Sequence, residues 1–371
     1  MIPRGCGAAY RGLVAAGVFA AGLLAAACAT LPQSRTIACD ALPAPPIQLS
    51  EDGTRASLRL DVLTYNIEGL GWPARKGRKS ELAGISSRLN DLLRSGEGPD
   101  VVLFQEVFSR PAVSAVEQSG YPALAAGPKR RSRRDLPAAG RPQGRRLWMR
   151  GEIGLRLTTG GLAIGSVYPI VDQEGEPFSR RGCAGLDCLS NKGALHARVA
   201  IPGAPLPVDV FNTHMNSRKA SKAPRKRTLS AHAIQTAELS AFLAARRDPR
   251  AAAILGGDFN MRRSEARFEA FSAKLPMTLV HRYCMEQPDL CDVRTSWDGD
   301  APWMDTQDLQ LFAEGEVMSI RPVHVETMFD GRPDSPALSD HDALRVVYEL
   351  SWPIPPGGQL PSPACPAGAA S

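Results

Sequence analysis

The chain has 371 residues, enough for one large α/β domain or two smaller ones. Hydrophobic residues make up 43% of it and charged residues 22%, which excludes a disordered or low-complexity protein. The formal net charge of +6 is concentrated in two basic loops, residues 129–150 and 218–227, without which the chain would be net acidic. Either a solvated basic surface or contact with the phosphates of nucleic acid or of an anionic membrane would explain them.

The N-terminus predicts a leader rather than a folded element. Arg4 and Arg11 precede an apolar stretch at 12–27 that is short for a membrane span, so we assign residues 1–27 to a signal peptide. LAAAC at 24–28 resembles a bacterial lipoprotein box, which favours Cys28 as a lipidated first mature residue, and cleavage at an Ala-x-Ala site is the alternative. We predict export, to the outer membrane as a lipoprotein or to the periplasm or medium.

The flanks of the predicted domain are rich in proline. Residues 28–57 are typical of a tether, and residues 353–371 of a Pro/Gly-rich tail. Apart from Cys6 and Cys28, six cysteines remain, at positions 39, 183, 188, 284, 291 and 365. An even number in an exported protein favours disulfides, with Cys183/Cys188 and Cys284/Cys291 as local pairs and Cys39/Cys365 as a clasp. A zinc site is the alternative, but no Cys-x₂-Cys spacing supports it.

Between residues 58 and 352 predicted strands and helices alternate, which indicates a single catalytic domain. The spacing of apolar residues predicts a helix over 81–93 that ends near Gly96. A second helix is predicted over 228–247, stopped by Pro249. Such alternation favours an α/β fold with a site along one edge of the sheets.

Five apolar segments are each predicted to be a strand that ends in an acid, an amide or a histidine. They are LDVLTYN at 60–66, VVLFQE at 101–106, VDVFNTHMN at 208–216, ILGGDFN at 254–260 and LSDHDAL at 338–344. Each alone has an ordinary explanation as a turn, a cap or a hydrogen-bonded histidine. Together they supply carboxylates that can bind a hard cation, histidines that can move protons and amides that can orient water or a phosphate group. We also expect Gly256 and Gly257 to permit a tight turn before Asp258.

The ordered set Asn66, Glu106, His214, GDFN at 257–260 and SDH at 339–341 resembles the endonuclease/exonuclease/phosphatase superfamily. The resemblance covers about residues 58–348 and implies a four-layer α/β sandwich of two mixed β-sheets flanked by helices. GLAIGSVYPI at 161–170 and DCLSNKG at 187–193 are similar to segments of secreted and neutral sphingomyelinases. QDLQLF at 307–312 occupies the place of a family strand with the pattern Q/x-D-Y-I-F.

The resemblance also implies roles for individual residues. Glu106 is expected to hold Mg²⁺, for which Mn²⁺ or Co²⁺ could substitute, with Asn66 and Asp340 as further ligands. His341 is expected to be the general base, oriented by Asp308. His214 and Asn260 are expected to contact the phosphoryl oxygens. Asp258 is expected to position water or to protonate the leaving group. Asn216 and Lys192 are expected to bind the substrate.

Three functions follow as hypotheses. The first is an exported phosphodiesterase acting on a phospholipid headgroup, like sphingomyelinase C, with the membrane reached through Cys28 and the basic loops. The second is a secreted DNA or RNA endonuclease, and the third is an inactive binding protein on this fold. The resemblance implies an aromatic hairpin between Asp308 and Asp340 for toxins of the family, but this interval holds only Phe312 and Phe329 as aromatics, so Trp297 and Trp303 are the candidate substitutes.

Overall fold

The computed structural model describes residues 31–39, 44–71, 75–295, 301–333 and 335–354. The helices within these ranges are α1 Arg78–Ser95, α2 Arg110–Glu117, α3 Arg225–Arg246, α4 Glu265–Ser272 and α5 Val280–Glu286. The strands are β1 Gln48–Leu49, β2 Arg55–Asn66, β3 Val101–Gln105, β4 Ala123–Gly127, β5 Leu162–Ser166, β6 Ile170–Pro177, β7 Gly193–Val199, β8 Val208–His214, β9 Ala253–Asp258, β10 Thr278–Leu279, β11 Asp292–Arg294, β12 Asp308–Ala313, β13 Ser319–Met328 and β14 Ala343–Pro353.

The strands form two sheets. One has the order β11-β13-β14-β2-β3-β5-β4, with β1 paired to β2, and the other has the order β10-β12-β9-β8-β7-β6. Each is mixed, because β2 and β3 run parallel in the first sheet and β8 and β9 run parallel in the second, whereas most other pairs are antiparallel.

Side chains that alternate along the strands pack against a different layer on each face of the sheet. Along β2, Leu60 and Val62 belong to a core between the two sheets, and Leu63 and Tyr65 belong to a core beneath α1 and α2. This period of two is the pattern of a strand that is covered on both faces. The outer face of the second sheet packs against α3 and α4. The structure therefore confirms the predicted four-layer sandwich, and α1 and α3 correspond to the two predicted helices.

Strand direction brings the polar ends of the strands to one edge. β2 ends at Asn66, β3 is followed by Glu106, β8 ends at His214 and β9 ends at Asp258. The antiparallel neighbours contribute their first residues at the same edge, and the register places Asp308 at the start of β12 opposite Asp258. Since carboxyl ends of parallel strands and amino ends of antiparallel strands meet there, sequence-distant groups become neighbours.

Two details differ from the sequence predictions. In the fifth segment the aspartate and histidine precede the strand rather than end it, because β14 begins at Ala343 and runs antiparallel to β2. Gly256 and Gly257 lie within β9 rather than in a turn. Their role is close packing, since a Cβ on Gly257, at φ +145°, would lie 2.0 Å from the Thr213 carbonyl oxygen of the adjacent strand.

Two of the predicted disulfides are present, Cys183–Cys188 and Cys284–Cys291, so the zinc alternative is wrong for these four residues. Cys365, the predicted partner of Cys39, lies outside the described residues, as do the predicted signal peptide with Cys28 and most of the tail. Part of the predicted tether contacts the domain, because Arg35 exchanges two backbone hydrogen bonds with Leu124 at 2.8 Å. In the described part of the chain, no helix has the length and hydrophobicity needed to span a bilayer.

Candidate active site

A histidine–aspartate pair lies at the centre of this edge. Nδ1 of His341 is 2.9 Å from Oδ1 of Asp308, which is fully buried. Burial lowers the pKa of His341, but the nearby carboxylates of Asp308, Asp258 and Glu106 outweigh it and raise the pKa to about 10. With Nδ1 occupied, Nε2 is the ring atom that faces the other site residues, 4.0 Å from Oδ2 of Asp258. The aspartate therefore fixes the tautomer and orientation of the ring, as a general base requires.

Asp258 is the most heavily supported carboxylate of the site. The backbone N–H of Asn260 donates to its Oδ1 at 2.9 Å, and the amide groups of Asn260 and Asn66 donate to its Oδ2 at 3.0 and 3.2 Å. Burial nevertheless raises the pKa of Asp258, and the charge of Asp308 adds to the effect. Asn260 takes a positive φ of 54° to make these contacts, and strained backbone of this kind is concentrated at functional sites.

Glu106 is partly buried and has few partners. It follows β3 with a positive φ of 62°, and among the described residues its side chain accepts one hydrogen bond, from Nδ2 of Asn66 at 3.3 Å. Burial raises the pKa of Glu106, even though the charges of Lys192 and His341 oppose the shift. A carboxylate in a buried position without a cation in contact is costly, so this position suits a bound cation.

The donor set fits a hard divalent cation. Glu106 supplies carboxylate oxygens, and Asp258, Asp308 and His341 bring one ligand atom each within 4.8 Å of one another. Mg²⁺ is bound through one or two carboxylates and keeps several waters, which agrees with this sparse set. The side chain of Asn66, the other predicted ligand on this side, lies between two of these carboxylates. Its Oδ1 accepts the Glu68 N–H at 3.1 Å and its Nδ2 donates to Glu106 and Asp258, so it orients the carboxylates.

Lys192 is buried at the second-sheet side of the site. Its ammonium group lies 2.9 Å from Asp187, 3.0 Å from Nε2 of His214 and 3.1 Å from the Met215 carbonyl oxygen. These three acceptors match its three N–H groups. Burial and the charges of Lys192 and His341 lower the pKa of His214 well below its ordinary value, so the ring is neutral. Lys192 thus supplies a fixed positive charge and holds two loops together.

Two predicted site residues lie at the margin of the cluster. Asn216 is fully buried, and its amide is used by the Ala184 N–H at 2.8 Å and the Ser217 carbonyl at 2.9 Å. Asp340 is half exposed and pairs with Arg75 at 3.0 Å, with Nε2 of His341 at 4.0 Å. The structure therefore gives Asn216 the position of a loop brace, and it gives Asp340 the position of an entrance group.

Sequence reasoning missed the contacts that position the cluster. The Ser339 hydroxyl donates to the Asn66 carbonyl at 2.7 Å and so ties the SDH segment to the end of β2. Glu68 pairs with Arg75 and Arg78, and it accepts the Asp340 N–H at 3.2 Å. The one available signal for Glu68 was its place as an acid two residues after Asn66 in the sequence. Four histidines stand outside the cluster with other partners: His196, His232, His281 and His324.

Comparison with solved structures places this site in context. The chain is similar to sphingomyelinase C from Streptomyces griseocarneus, with 21% identity, TM-score 0.54 and coverage of 78% of this chain and 99% of that one. Similarity to a mutant beta toxin from Staphylococcus aureus with bound magnesium ions has 18% identity, TM-score 0.54 and the same coverage. TDP2 from D. rerio, complexed with a single-stranded DNA product, gives 14% identity and TM-score 0.52, covering 78% of this chain and 98% of that one.

Comparison with curated proteins gave no match. The sequence model of the Endonuclease/Exonuclease/phosphatase family matches residues 63–312. This span is more than half of the 371 residues and runs from β2 to β12, so it includes all of the predicted site residues except Asp340 and His341. The chain belongs to the Endonuclease/Exonuclease/phosphatase family.

Proposed function

We propose that the chain is an exported, Mg²⁺-dependent phosphodiesterase that hydrolyses a phospholipid headgroup, as a sphingomyelinase C does. The observation that carries the proposal is the His341–Asp308 pair beside a partly buried, sparsely paired Glu106. The two disulfides support export, because such bonds persist in oxidising compartments.

His341 would accept the proton of the attacking water in this mechanism, once a cation held by Glu106 offsets the carboxylate charges that raise the pKa of His341. Its Nε2 points into the site, and the Asp308 carboxylate stabilises the imidazolium that forms. Asp258 is held by three N–H donors and positions the water or the leaving-group proton. The neutral His214 and Asn260 face the phosphoryl group, and the ammonium group of Lys192 lies next to His214. Their dipoles and this positive charge stabilise the negative charge that develops on the phosphoryl oxygens in the transition state.

Glu106 would be the principal ligand of Mg²⁺. The ion, when bound, supplies Lewis-acid polarisation of a phosphoryl oxygen. Asn66 keeps the Glu106 carboxylate in place through its amide hydrogen bond. Mn²⁺ or Co²⁺ would use the same oxygen donors with altered rates.

The lipid substrate is supported by the segment that holds Lys192. Asp187 and Lys192 form a buried ion pair at 2.9 Å, and both belong to the segment that resembles the sphingomyelinases. A nuclease is the second candidate, because the neighbour TDP2 carries a DNA product and the two basic loops suit a polyanion.

The test is turnover by the purified chain with Mg²⁺, measured on sphingomyelin vesicles and on plasmid DNA in parallel. Lipid turnover without DNA nicking supports the proposal, and nicking without lipid turnover replaces it with the nuclease. His341→Ala removes the base, and His324→Ala is the matched control because Nδ1 of His324 also faces an aspartate, Asp292, at 3.0 Å. Full activity in His341→Ala, or equal loss in both variants, would refute the mechanism.

A further inference from the structure

The largest exposed apolar feature lies outside the catalytic cluster. Eight large hydrophobic side chains are exposed in the described part of the chain, and four of them fall within residues 148–155, which we term the apolar tip. Trp148 is 66% exposed, Met149 80%, Ile153 43% and Leu155 61%. Single exposed hydrophobic residues are ordinary, but a cluster on one short segment indicates an interaction surface.

The tip is mounted on a rigid base. Glu152, within the tip, is buried and accepts hydrogen bonds from the Leu147 and Gly185 N–H groups at 2.9 Å and from the Arg227 guanidinium at 2.6 and 2.7 Å. Arg227 in turn donates to the carbonyl groups of residues 142–144. The side chains at 148–155 are therefore exposed because the fold holds them outward, and not because the loop lacks partners.

The two basic loops meet at this base. Arg150 donates to the Lys222 carbonyl at 2.8 Å, and Arg227 donates to the carbonyl groups of residues 142–144, so the loops 129–150 and 218–227 contact each other. A cavity of about 210 Å³ opens beside the tip, and it is lined by five arginines, Arg141, Arg146, Arg180, Arg181 and Arg227. Glu152 is the one acid among the residues that line it, and Arg227 neutralises its charge.

We propose that the apolar tip inserts into the interface of an anionic phospholipid membrane while the surrounding arginines bind lipid phosphates. Aromatic and aliphatic side chains flanked by basic residues are the composition of interfacial anchors, and each basic residue near such a surface adds attraction. Nucleic acid would use the arginines and could stack on Trp148. It offers nothing to Met149, Ile153 and Leu155, so the lipid is the better match.

The surface is close to the chemistry. Gly151 packs against the turn Gly185–Leu189, where an added Cβ would lie 3.0 Å from the Gly185 carbonyl oxygen. That turn carries Asp187, which holds Lys192 beside His214. Membrane docking would place the catalytic edge next to lipid headgroups, and its purpose therefore rests on the proposed function.

Membrane binding is measured without turnover, so that it is separable from the reaction. The full chain carrying His341→Ala is sedimented with phosphatidylcholine vesicles, with and without phosphatidylglycerol. We expect binding to the anionic vesicles and quenching of tryptophan fluorescence by brominated lipids. The quenching should disappear in Trp148→Phe, and this readout is independent of any N-terminal lipid. Unchanged quenching in Trp148→Phe would overturn the proposal.

A matched pair of variants tests the tip against a generic apolar site. Leu155 and Leu49 are both 61% exposed, and Leu49 lies on strand β1. Leu155→Ser should weaken partitioning, whereas Leu49→Ser should leave it unchanged, and adding Met149→Ser to Leu155→Ser should bring the loss to about tenfold. Both proteins should hydrolyse a soluble phosphodiester at the parent rate, and equal partitioning of the two would refute the role of the tip.

The arginines are tested by reversal of charge. Arg145→Glu with Arg150→Glu should weaken binding to anionic vesicles at least about tenfold, and Arg94→Glu on helix α1 serves as the control. Vesicle binding by a chain without sphingomyelin turnover would refute the proposed function and leave the docking surface intact. Binding of DNA with no vesicle binding would refute the docking surface and assign these arginines to a nuclease.

Discussion

Glu152, which is buried, and Glu106, which is partly buried, behave in opposite ways. Glu152 accepts four hydrogen bonds, two from peptide N–H groups and two from Arg227. Burial alone would raise its pKa, yet these donors hold the pKa of Glu152 below its ordinary value. Glu106 accepts one hydrogen bond at 3.3 Å, and burial raises its pKa.

The difference separates a structural carboxylate from the one that we propose as a metal ligand. A carboxylate whose oxygens already accept hydrogen bonds from protein groups stabilises the fold, and it has no free lone pair to bind a ligand. A carboxylate that the fold buries and leaves underpaired costs stability, and that cost is consistent with a cation being bound there. Exchanging each glutamate for glutamine should therefore affect different properties of the molecule.

The largest effect should be on turnover. Glu106→Gln should lower kcat on the phosphodiester substrate about 10³-fold, because it removes the proposed Mg²⁺ ligand. Its urea unfolding midpoint in EDTA should equal or exceed that of the parent chain, since the variant no longer buries an underpaired carboxylate. A variant that is both inactive and markedly less stable would contradict the functional assignment of Glu106.

Glu152→Gln should show the reverse pattern. It leaves the guanidinium of Arg227 buried beside an uncharged amide, and we expect a loss of about 3 kcal/mol in the free energy of unfolding. Hydrolysis of a soluble phosphodiester should persist at temperatures where the variant remains folded. Urea denaturation against the parent measures the loss, and an unchanged midpoint would show that the pair contributes nothing to stability.

Mg²⁺ should stabilise the parent chain and not the Glu106→Gln variant. Saturating Mg²⁺ should raise the parent Tm by about 5 °C, because an ion that binds only the folded state adds its binding free energy. EDTA should reverse the shift. An equal rise in Glu106→Gln would place the ion elsewhere.

The smallest predicted effect concerns pH. Because the pKa of Glu152 is lowered in the folded state, its contribution is present above its unfolded pKa, near 4.5, and is lost as the pH falls through the folded value. The stability difference between parent and Glu152→Gln should therefore be constant near neutral pH and shrink below about pH 4.5. Urea midpoints across this range test it, and a difference that grows in acid would reverse the sign of the argument.

Much of the fold and part of the site could be predicted from local sequence. Helix α1, helix α3 and the ends of β2, β3, β8 and β9 follow from periodicity and from polar residues at strand ends. The direction of β14 could not be predicted, because the local sequence does not show whether an aspartate and a histidine precede a strand or follow it. The pairing of Glu152 with Arg227 was equally out of reach, since nothing local in either segment indicates a partner 75 residues away.

Strand β14 has a consequence for when the enzyme can work. It is the last described strand in the chain, yet it lies in the middle of its sheet, between β13 and β2. His341 and Asp340 immediately precede it, so the site lacks its proposed base until this strand has been inserted. Under the proposed mechanism, a chain that already carries every earlier site residue would remain inactive until β14 has joined its sheet.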